Sequence, residues 1–109
     1  MDKLSLTATA RVTSRTADAG GGRAAQTVYG GHDRVLRQTV IALTSGTSLA
    51  EHENPGEATV HVLNGRVRLD TDRRTWEGRA GDLIVVPQQR HSLTALEDSA
   101  VLLTVAKAP

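Results

Sequence analysis

The sequence contains no cysteine and almost no aromatic residues. Its 109 residues include no Phe, one Tyr (Tyr29) and one Trp (Trp76). The absence of cysteine excludes disulfide bonds, thiolate metal sites, iron–sulfur clusters and cysteine nucleophiles. The scarcity of aromatic side chains removes the surfaces on which single-stranded nucleic acids stack. We therefore predict one domain with a core of Val, Leu, Ala and Ile.

The charge of the chain is nearly balanced. It has 13 Lys and Arg residues against 12 Asp and Glu residues, which gives a formal net charge of +1. This balance provides no global field that would hold nucleic acid or an anionic membrane. The apolar runs 83–86 and 100–103 are too short to span a bilayer, and residues 1–10 lack the pattern of a secretory signal. We expect a soluble, cytoplasmic protein that binds neither nucleic acid nor membrane.

The first part of the chain differs from the rest. Residues 1–26 are rich in Thr, Ala and Arg and include the triplet Gly20-Gly21-Gly22, so we predict an N-terminal arm and linker. Within the arm, residues 4–18 fit a short helix or a strand, since Ala favours the first and Thr the second. Residues 27–109 contain short β segments separated by turn residues, a pattern typical of an all-β barrel or sandwich.

Eight short strands are predicted in this second part, and no long helix fits there. The dipeptide Asn64-Gly65 favours a two-residue hairpin turn, because both positions tolerate positive φ. Pro87 ends a strand because it cannot donate to a β ladder. The predicted strands are 27–29, 35–43, 58–63, 66–70, 75–77, 82–86, 92–96 and 100–106.

Strand alternation also predicts which side chains are buried. With Ala58 facing inward, His61 lies on the other face of its strand. Trp76 is expected to fill the core, and His32 follows two glycines in a surface turn. The predicted core members are Val40, Ala42, Val60, Val62, Leu69, Leu83, Val85 and Val101.

Two blocks of sequence carry the residues suited to chemistry. The first runs over residues 46–65 and contains His52, Asn54 and Glu57. The second runs over residues 81–93 and contains Arg90 and His91. Taken together, the two blocks resemble the two motifs of the cupin family, and the resemblance extends over residues 35–106.

The match to the cupin motifs is partial. In the first motif, Gly46, His52 and Gly65 match, whereas Asn54 replaces the second His and Ala58 falls at the position of the Glu. In the second motif the matching residues are Gly81, Asp82, Pro87 and His91, with a spacing from Pro to His one residue shorter than the commonest form.

The resemblance implies a jelly-roll β-barrel that is open at one end, lined by inward side chains, and often paired as a homodimer. It also implies a divalent metal held by three His and one Glu, of which this chain retains His52 and His91. Two neutral imidazoles alone bind Fe, Mn, Ni or Zn weakly, because such sites need three or more protein ligands. A divalent transition metal (Fe, Mn, Ni or Zn) at low occupancy and no metal at all are therefore equally expected unless a third donor completes the site.

Two residues are candidates for that third donor. Asn54 lies two residues from His52, on the same face of an extended strand. Glu57 has the opposite parity, but Pro55-Gly56 interrupts the alternation before it. Arg90 suits either an anionic substrate at the pocket mouth or an ion pair with a carboxylate. The predicted pocket residues are His52, Asn54, Glu57, Arg90 and His91, with His52 and His91 as metal ligands and Glu57 or Asn54 as the third.

Three functions fit these observations, and the sequence leaves open whether the protein is an enzyme. The first is a small-molecule-binding cupin with a degenerate metal site. The second is a metal-dependent isomerase, cyclase or oxygenase using a His/His/Glu or His/Asn/His site. The third is a structural or regulatory dimer in which the barrel is a scaffold. A small-molecule ligand and a second copy of the chain are the partners expected.

Overall fold

The computed structural model of the protein describes residues 2–52 and 56–107, apart from the side chains of residues 50–52. One helix precedes nine strands in this part of the chain. The helix is α1 (Leu6–Ala19), and the strands are β1 (Arg23–Tyr29), β2 (Leu36–Leu43), β3 (Ser48–His52), β4 (Gly56–Asn64), β5 (Arg66–Asp70), β6 (Thr75–Arg79), β7 (Leu83–Val85), β8 (His91–Ala95) and β9 (Ser99–Lys107).

The N-terminal arm is helical, which settles the choice that the sequence left open. The helix α1 begins after Ser5, whose hydroxyl oxygen accepts a hydrogen bond of 3.1 Å from the Ala8 N–H and so caps the first turn. It ends before Gly20, and two glycines with positive φ then turn the chain into β1. No described helix is long and apolar enough to cross a membrane.

The strands form two antiparallel sheets that enclose the core between them. The five-stranded sheet has the order β1-β2-β9-β4-β7, and the four-stranded sheet has the order β3-β8-β5-β6. The described fold is therefore all-β, with a jelly-roll arrangement and a helical arm, as the sequence predicts. All eight predicted strands are present. The strand β1 begins at Arg23, four residues before the predicted start, and β3 was missed. The division at residue 26 stays a prediction.

The predicted hairpin at Asn64-Gly65 is wrong. The strand β4 pairs with β7 and β9, while β5 pairs with β6 and β8, so this turn connects the two sheets. Both edges of β4 are already occupied, and β5 has no edge of β4 to join. Gly65 has a φ of 82° and packs so closely on Ser99 that a Cβ would clash there. The glycine permits a crossing between sheets here.

Two apolar clusters hold the fold together. The larger lies inside the barrel, and the partly buried Trp76 packs against it, as predicted. The smaller lies between α1 and the outer face of the five-stranded sheet, where Ala10 meets Val40, Ala100 and Leu102. The larger cluster comprises Ile41, Leu43, Ala58, Val60, Val62, Val67, Leu69, Ile84, Val86, Leu93, Ala95, Val101 and Val105.

Two of the predicted core members are exposed instead. Leu83 and Val85 have exposed fractions of 61% and 72%, whereas Ile84 and Val86 are buried inside the barrel. Side chains alternate along a strand, so burial of Ile84 puts both of its neighbours on the outer face. The apolar cluster under α1 on this outer face includes residues of β2 and β9 and none of β7, which lies at the edge of the sheet. The other six predicted members are buried.

This correction predicts opposite effects for neighbouring truncations in β7. Ile84→Ala should lower the free energy of unfolding by about 2–4 kcal/mol, because it leaves a cavity in the barrel core. Leu83→Ala should change it by less than about 0.5 kcal/mol, because Leu83 faces solvent. Urea unfolding of both variants measures the difference. Equal losses would show that the inward face of β7 has been assigned wrongly.

Candidate functional site

His91 is a buried polar side chain in an aliphatic interior. It begins β8, where His91, Leu93 and Ala95 face inward in alternation and are buried. Its side chain lines a cavity of about 20 Å³ and has an exposed fraction of 6%. The other residues lining this cavity are Ile41, Leu49, Val60, Leu69, Val86, Leu93, Val101 and Leu103.

A backbone carbonyl fixes the orientation of the His91 ring. The His91 Nδ1 lies 2.9 Å from the carbonyl oxygen of Gln89, which can only accept a hydrogen bond. The Nδ1 atom therefore donates the hydrogen bond to this carbonyl. A ring held in one tautomer and one orientation by its second nitrogen is suited to bind a ligand through the first.

The backbone of His52 lies directly opposite that of His91. The ladder pairs Leu49 with Leu93 and then His52 with His91, so three steps along β3 correspond to two along β8. This bulge shifts the register by one residue. Without it, Glu51 would be the residue opposite His91. The register thus brings the two predicted histidine positions together on neighbouring strands.

Neither candidate for the third metal ligand, Asn54 or Glu57, is observed beside His91. Asn54 lies outside the described residues. Glu57 is exposed and lines a groove of about 550 Å³ on the outer face of the five-stranded sheet, together with Thr59 and Thr104. Alternation in β4 is regular from Gly56 onward, with Ala58 inward, so Glu57 faces away from the barrel. The structure does not bring Glu57 together with His91.

Arg90 also lies outside the barrel interior. It is exposed and lines a cleft of about 360 Å³ with Asp70, Asp72 and Ser92. Asp70 and Ser92 are paired positions on the outward face of the four-stranded sheet, since their neighbours Leu69 and Leu93 face the core. The cleft around Arg90 is therefore separate from the cavity beside His91.

The described residues do not fit a metal centre. Among them, no group of three or more His, Asp or Glu side chains is close enough to hold a metal ion. His91 contributes one imidazole from the inner face, and Glu57 is on the wrong side of its strand. Ala58, at the position that the motif gives to Glu, is buried and carries no donor.

The inner face of the five-stranded sheet carries polar residues that were not predicted from the sequence. Arg37 and Thr39 share their face of β2 with Ile41 of the barrel core, and both are half-buried. Lys107 shares its face of β9 with Val105. The sequence does contain a signal for this: if Ile41 faces inward in the predicted strand 35–43, alternation places Arg37 on the same inward face.

The other histidines lie where alternation and turn composition predict. His61 is half-buried on the outer face of β4, between the inward residues Val60 and Val62. His32 is exposed in the loop between β1 and β2. Neither lines the cavity beside His91.

A family model described as the cupin domain matches residues 39–106, which is more than half of the chain. The chain belongs to the cupin family. It is similar to a conserved protein of unknown function from Streptococcus pyogenes, with 31% identity over 80% of this chain and 75% of that chain, and a TM-score of 0.72. No curated protein matches the sequence.

Two further solved structures share the fold of this cupin. A cupin superfamily protein from Desulfitobacterium hafniense is 15% identical, covers 79% of this chain and 78% of its own, and has a TM-score of 0.73. An RmlC-like cupin from Shewanella frigidimarina is 22% identical, with coverages of 82% and 79% and a TM-score of 0.70. At these identities the likeness concerns the fold alone.

In the outer cleft, Asp70 is held as a carboxylate. Burial alone would raise its pKa, but hydrogen bonds from Arg68 and Thr75 and the charge of Arg68 outweigh that effect and lower the pKa below 3.8. The Arg68 Nε lies 2.9 and 3.1 Å from the two carboxylate oxygens, and the Thr75 hydroxyl donates over 2.8 Å. Asp70 therefore ties β5 to β6.

This interaction predicts a pH-dependent contribution to stability. Because the folded pKa of Asp70 is lowered, its stabilising effect is present above the unfolded pKa and is lost as pH falls through the folded pKa. Asp70→Asn should lower the free energy of unfolding by up to about 1 kcal/mol at neutral pH, as expected for a partly exposed pair. Urea unfolding across the acid range measures this difference. A loss that is equally large at the lowest pH would contradict the assignment.

Proposed function

We propose that this cupin binds a small organic molecule at the open end of its barrel, with His91 as the main polar contact. The observation that carries the proposal is the buried His91 ring, held by the Gln89 carbonyl with its Nδ1 protonated, in a wall that is otherwise aliphatic. An apolar cavity with one oriented polar group is the usual form of a small-molecule site.

The size of the cavity limits where such a ligand lies. A volume of about 20 Å³ is close to the space that one water molecule needs, so the depth of the barrel has no room for an organic molecule. The body of the ligand therefore lies outside this cavity, towards the end of the barrel where β9 reaches Lys107 and β4 begins at Gly56. Only one polar or small group reaches inwards to His91.

The proposal predicts a selective effect of removing the buried imidazole. A library of fragment-sized organic molecules is screened by ¹H–¹⁵N NMR, and compounds that bind should shift the amide signals of Val86, His91 and Leu93. His91→Ala should weaken their binding by about tenfold, the value of one hydrogen bond. His61→Ala is the matched control, because His61 lies on the outer face of β4, and it should leave the affinity unchanged.

Two results would reject this proposal. One is the absence of any binding compound, which would favour the third function, a barrel that acts as a scaffold. The other is a set of shifts confined to the outer groove around Glu57, Thr59 and Thr104. A His91→Ala variant that does not fold would be replaced by His91→Gln, which retains a polar side chain of similar size but cannot offer an imidazole nitrogen.

The second candidate is a metal-dependent enzyme, and the paired backbone positions of His52 and His91 favour it. Its test is elemental analysis of the purified protein after incubation with Mn, Fe, Ni and Zn. About one metal ion per chain, lost in His91→Ala and kept in His61→Ala, would establish this candidate. Metal that is also kept in His91→Ala would place the ion elsewhere.

We also propose that the partner of this chain is a second copy, joined through β7. The ladder bonds between β4 and β7 use alternate residues, with Val62 N–H donating to Asp82 and Val86 N–H donating to Ala58. The backbone groups of Leu83 and Val85 therefore point away from β4, along the sheet edge. Such an edge can pair with the same edge of another copy in antiparallel fashion, with Ile84 on the two-fold axis.

A dimer of this kind should be sensitive to charge on the edge. Val85→Lys should convert the dimer to a monomer, because a charged side chain on an edge strand opposes strand pairing. Size-exclusion chromatography with light scattering measures the mass, and Val12→Lys, on the exposed face of α1, is the control. A monomeric parent, or a Val85→Lys variant that remains dimeric, would contradict the proposal.

A further inference from the structure

Two cations lie on the inward face of the five-stranded sheet, at the end where β2 begins and β9 ends. Arg37 on β2 shares a face with Ile41, and Lys107 on β9 shares a face with Val105; both of these neutral neighbours belong to the barrel core. The side chains of Arg37 and Lys107 are half-buried. A charged group on the inner face of a barrel needs a partner, because partial burial removes some of its hydration.

The strand register places the two cations next to each other. Arg37 on β2 lies opposite Val105 on β9. Lys107 is two residues after Val105 on the same face of β9, so it is the diagonal neighbour of Arg37. Diagonal neighbours are about 7–8 Å apart at the backbone, within the reach of long side chains. Two like charges at this separation repel each other, and an anion bound between them would remove that repulsion.

The described residues do not neutralise these charges. The Arg37 guanidinium makes no hydrogen bond or ion pair to any described residue. The Lys107 ammonium donates to the carbonyl oxygens of Gly31 and His32 over 3.2 and 3.4 Å. These carbonyls are neutral, so they orient the ammonium and leave its charge uncompensated.

Acidic side chains are also absent from the inner wall, as far as strand side chains are described. Glu57, Asp70 and Glu77 each lie next to an inward residue of the same strand and so face outwards. Asp70 is in addition engaged by Arg68. The inner face of the described barrel therefore combines a positive rim with an aliphatic wall.

The positive rim lies next to the residues that line the cavity beside His91. Leu103 lines that cavity and pairs with Thr39, one inward position deeper than Arg37. Inward positions on one strand are roughly 6.6–6.8 Å apart, about the length of a small organic molecule. A ligand at the open end can thus contact Arg37 with one end while the other end meets the aliphatic wall and reaches towards His91.

We propose that the ligand of this cupin is a small organic anion with an apolar body, bound through its charged group between Arg37 and Lys107. The guanidinium of Arg37 offers the planar pair of N–H donors that matches a carboxylate or phosphate group. The aliphatic wall disfavours a polyhydroxylated ligand, because its hydroxyl groups would be buried without partners. This inference rests on the function proposed above and adds the charge class of the ligand.

Matched pairs of neutral and anionic probes test the inference. Butyrate and butyramide, and benzoate and benzamide, are titrated into the ¹⁵N-labelled full chain at constant ionic strength, with inorganic phosphate as a further probe. Each carboxylate should bind at least about tenfold more tightly than its amide, as expected for a charge-assisted contact. The shifted amide signals should include Arg37, Thr39 and Val105.

Charge-removing variants locate the effect. Arg37→Gln should abolish the preference for the carboxylate, and Lys107→Gln should reduce it. Arg79→Gln, which removes the same charge from an exposed residue of β6, should leave the preference unchanged. If Arg37→Gln does not fold, Arg37→Lys is used instead and should lower the carboxylate affinity, because it keeps the charge but loses the paired N–H donors.

The outcomes separate this inference from the function on which it rests. Carboxylates and amides that bind equally, with shifts at Val86 and His91, would retain the proposed small-molecule site and overturn the anionic class of its ligand. A carboxylate preference that survives Arg37→Gln would likewise overturn it. No binding by any probe in this set, together with no binding compound in the fragment library, would overturn both.

Discussion

Burial of β9 on both faces is the constraint on which the rest of the structure depends. This strand lies between β2 and β4. Its residues Val101 and Val105 face the barrel interior, whereas Ala100 and Leu102 face outward and pack against α1. A slip of one residue would exchange the two faces, so the register of β9 is strongly specified. That register in turn fixes Arg37 at the level of Val105 in the inner wall.

The strand pairing of the five-stranded sheet determines which residues of the proposed site come from each sheet. Because β4 is paired on both edges, the chain after it has to cross to the second sheet, and β8 with His91 belongs to that sheet. In the proposed site, the inner face of the first sheet provides the cations and the aliphatic wall, and the second sheet provides the oriented imidazole. Such a site requires the two sheets to be packed, so it would form together with the core between them.

The sequence predicted what depends on local pattern and missed what depends on neighbours. Alternation correctly placed Val60 and Val62 inside and His61 outside, since two-residue periodicity is a property of the strand itself. The turn at Gly65 has the composition of a hairpin, but whether its strands pair depends on which edges other strands have taken. Leu83 is exposed because it faces outward in β7, away from the part of the sheet that α1 covers, and a short apolar run does not reveal which of its residues face inward.

For the site, the motif spacing predicted the positions of the two histidines, but it did not predict which charged side chains face the barrel interior. The bulge before His52 sets its register against His91, and bulges have no reliable signature in a single sequence. Glu57 seemed able to turn inwards because of the Pro-Gly pair before it, yet β4 alternates regularly from Gly56. The inward position of Arg37 was not predicted, because it follows from the burial of Ile41 on the same face of β2.

The replacement of the motif's Glu by Ala58 acquires a physical meaning once the register is known. Ala58, Val105 and Arg37 lie in one row across three adjacent strands, all on the inner face. The outer members of such a row are roughly 9.6 Å apart at the backbone, so a Glu at 58 would come within reach of the Arg37 guanidinium and neutralise it. With Ala at position 58, this row contains the Arg37 guanidinium but no carboxylate. Ala58 offers no donor for a metal cation, and in the proposed site the charge of Arg37 is compensated by the anionic group of the ligand.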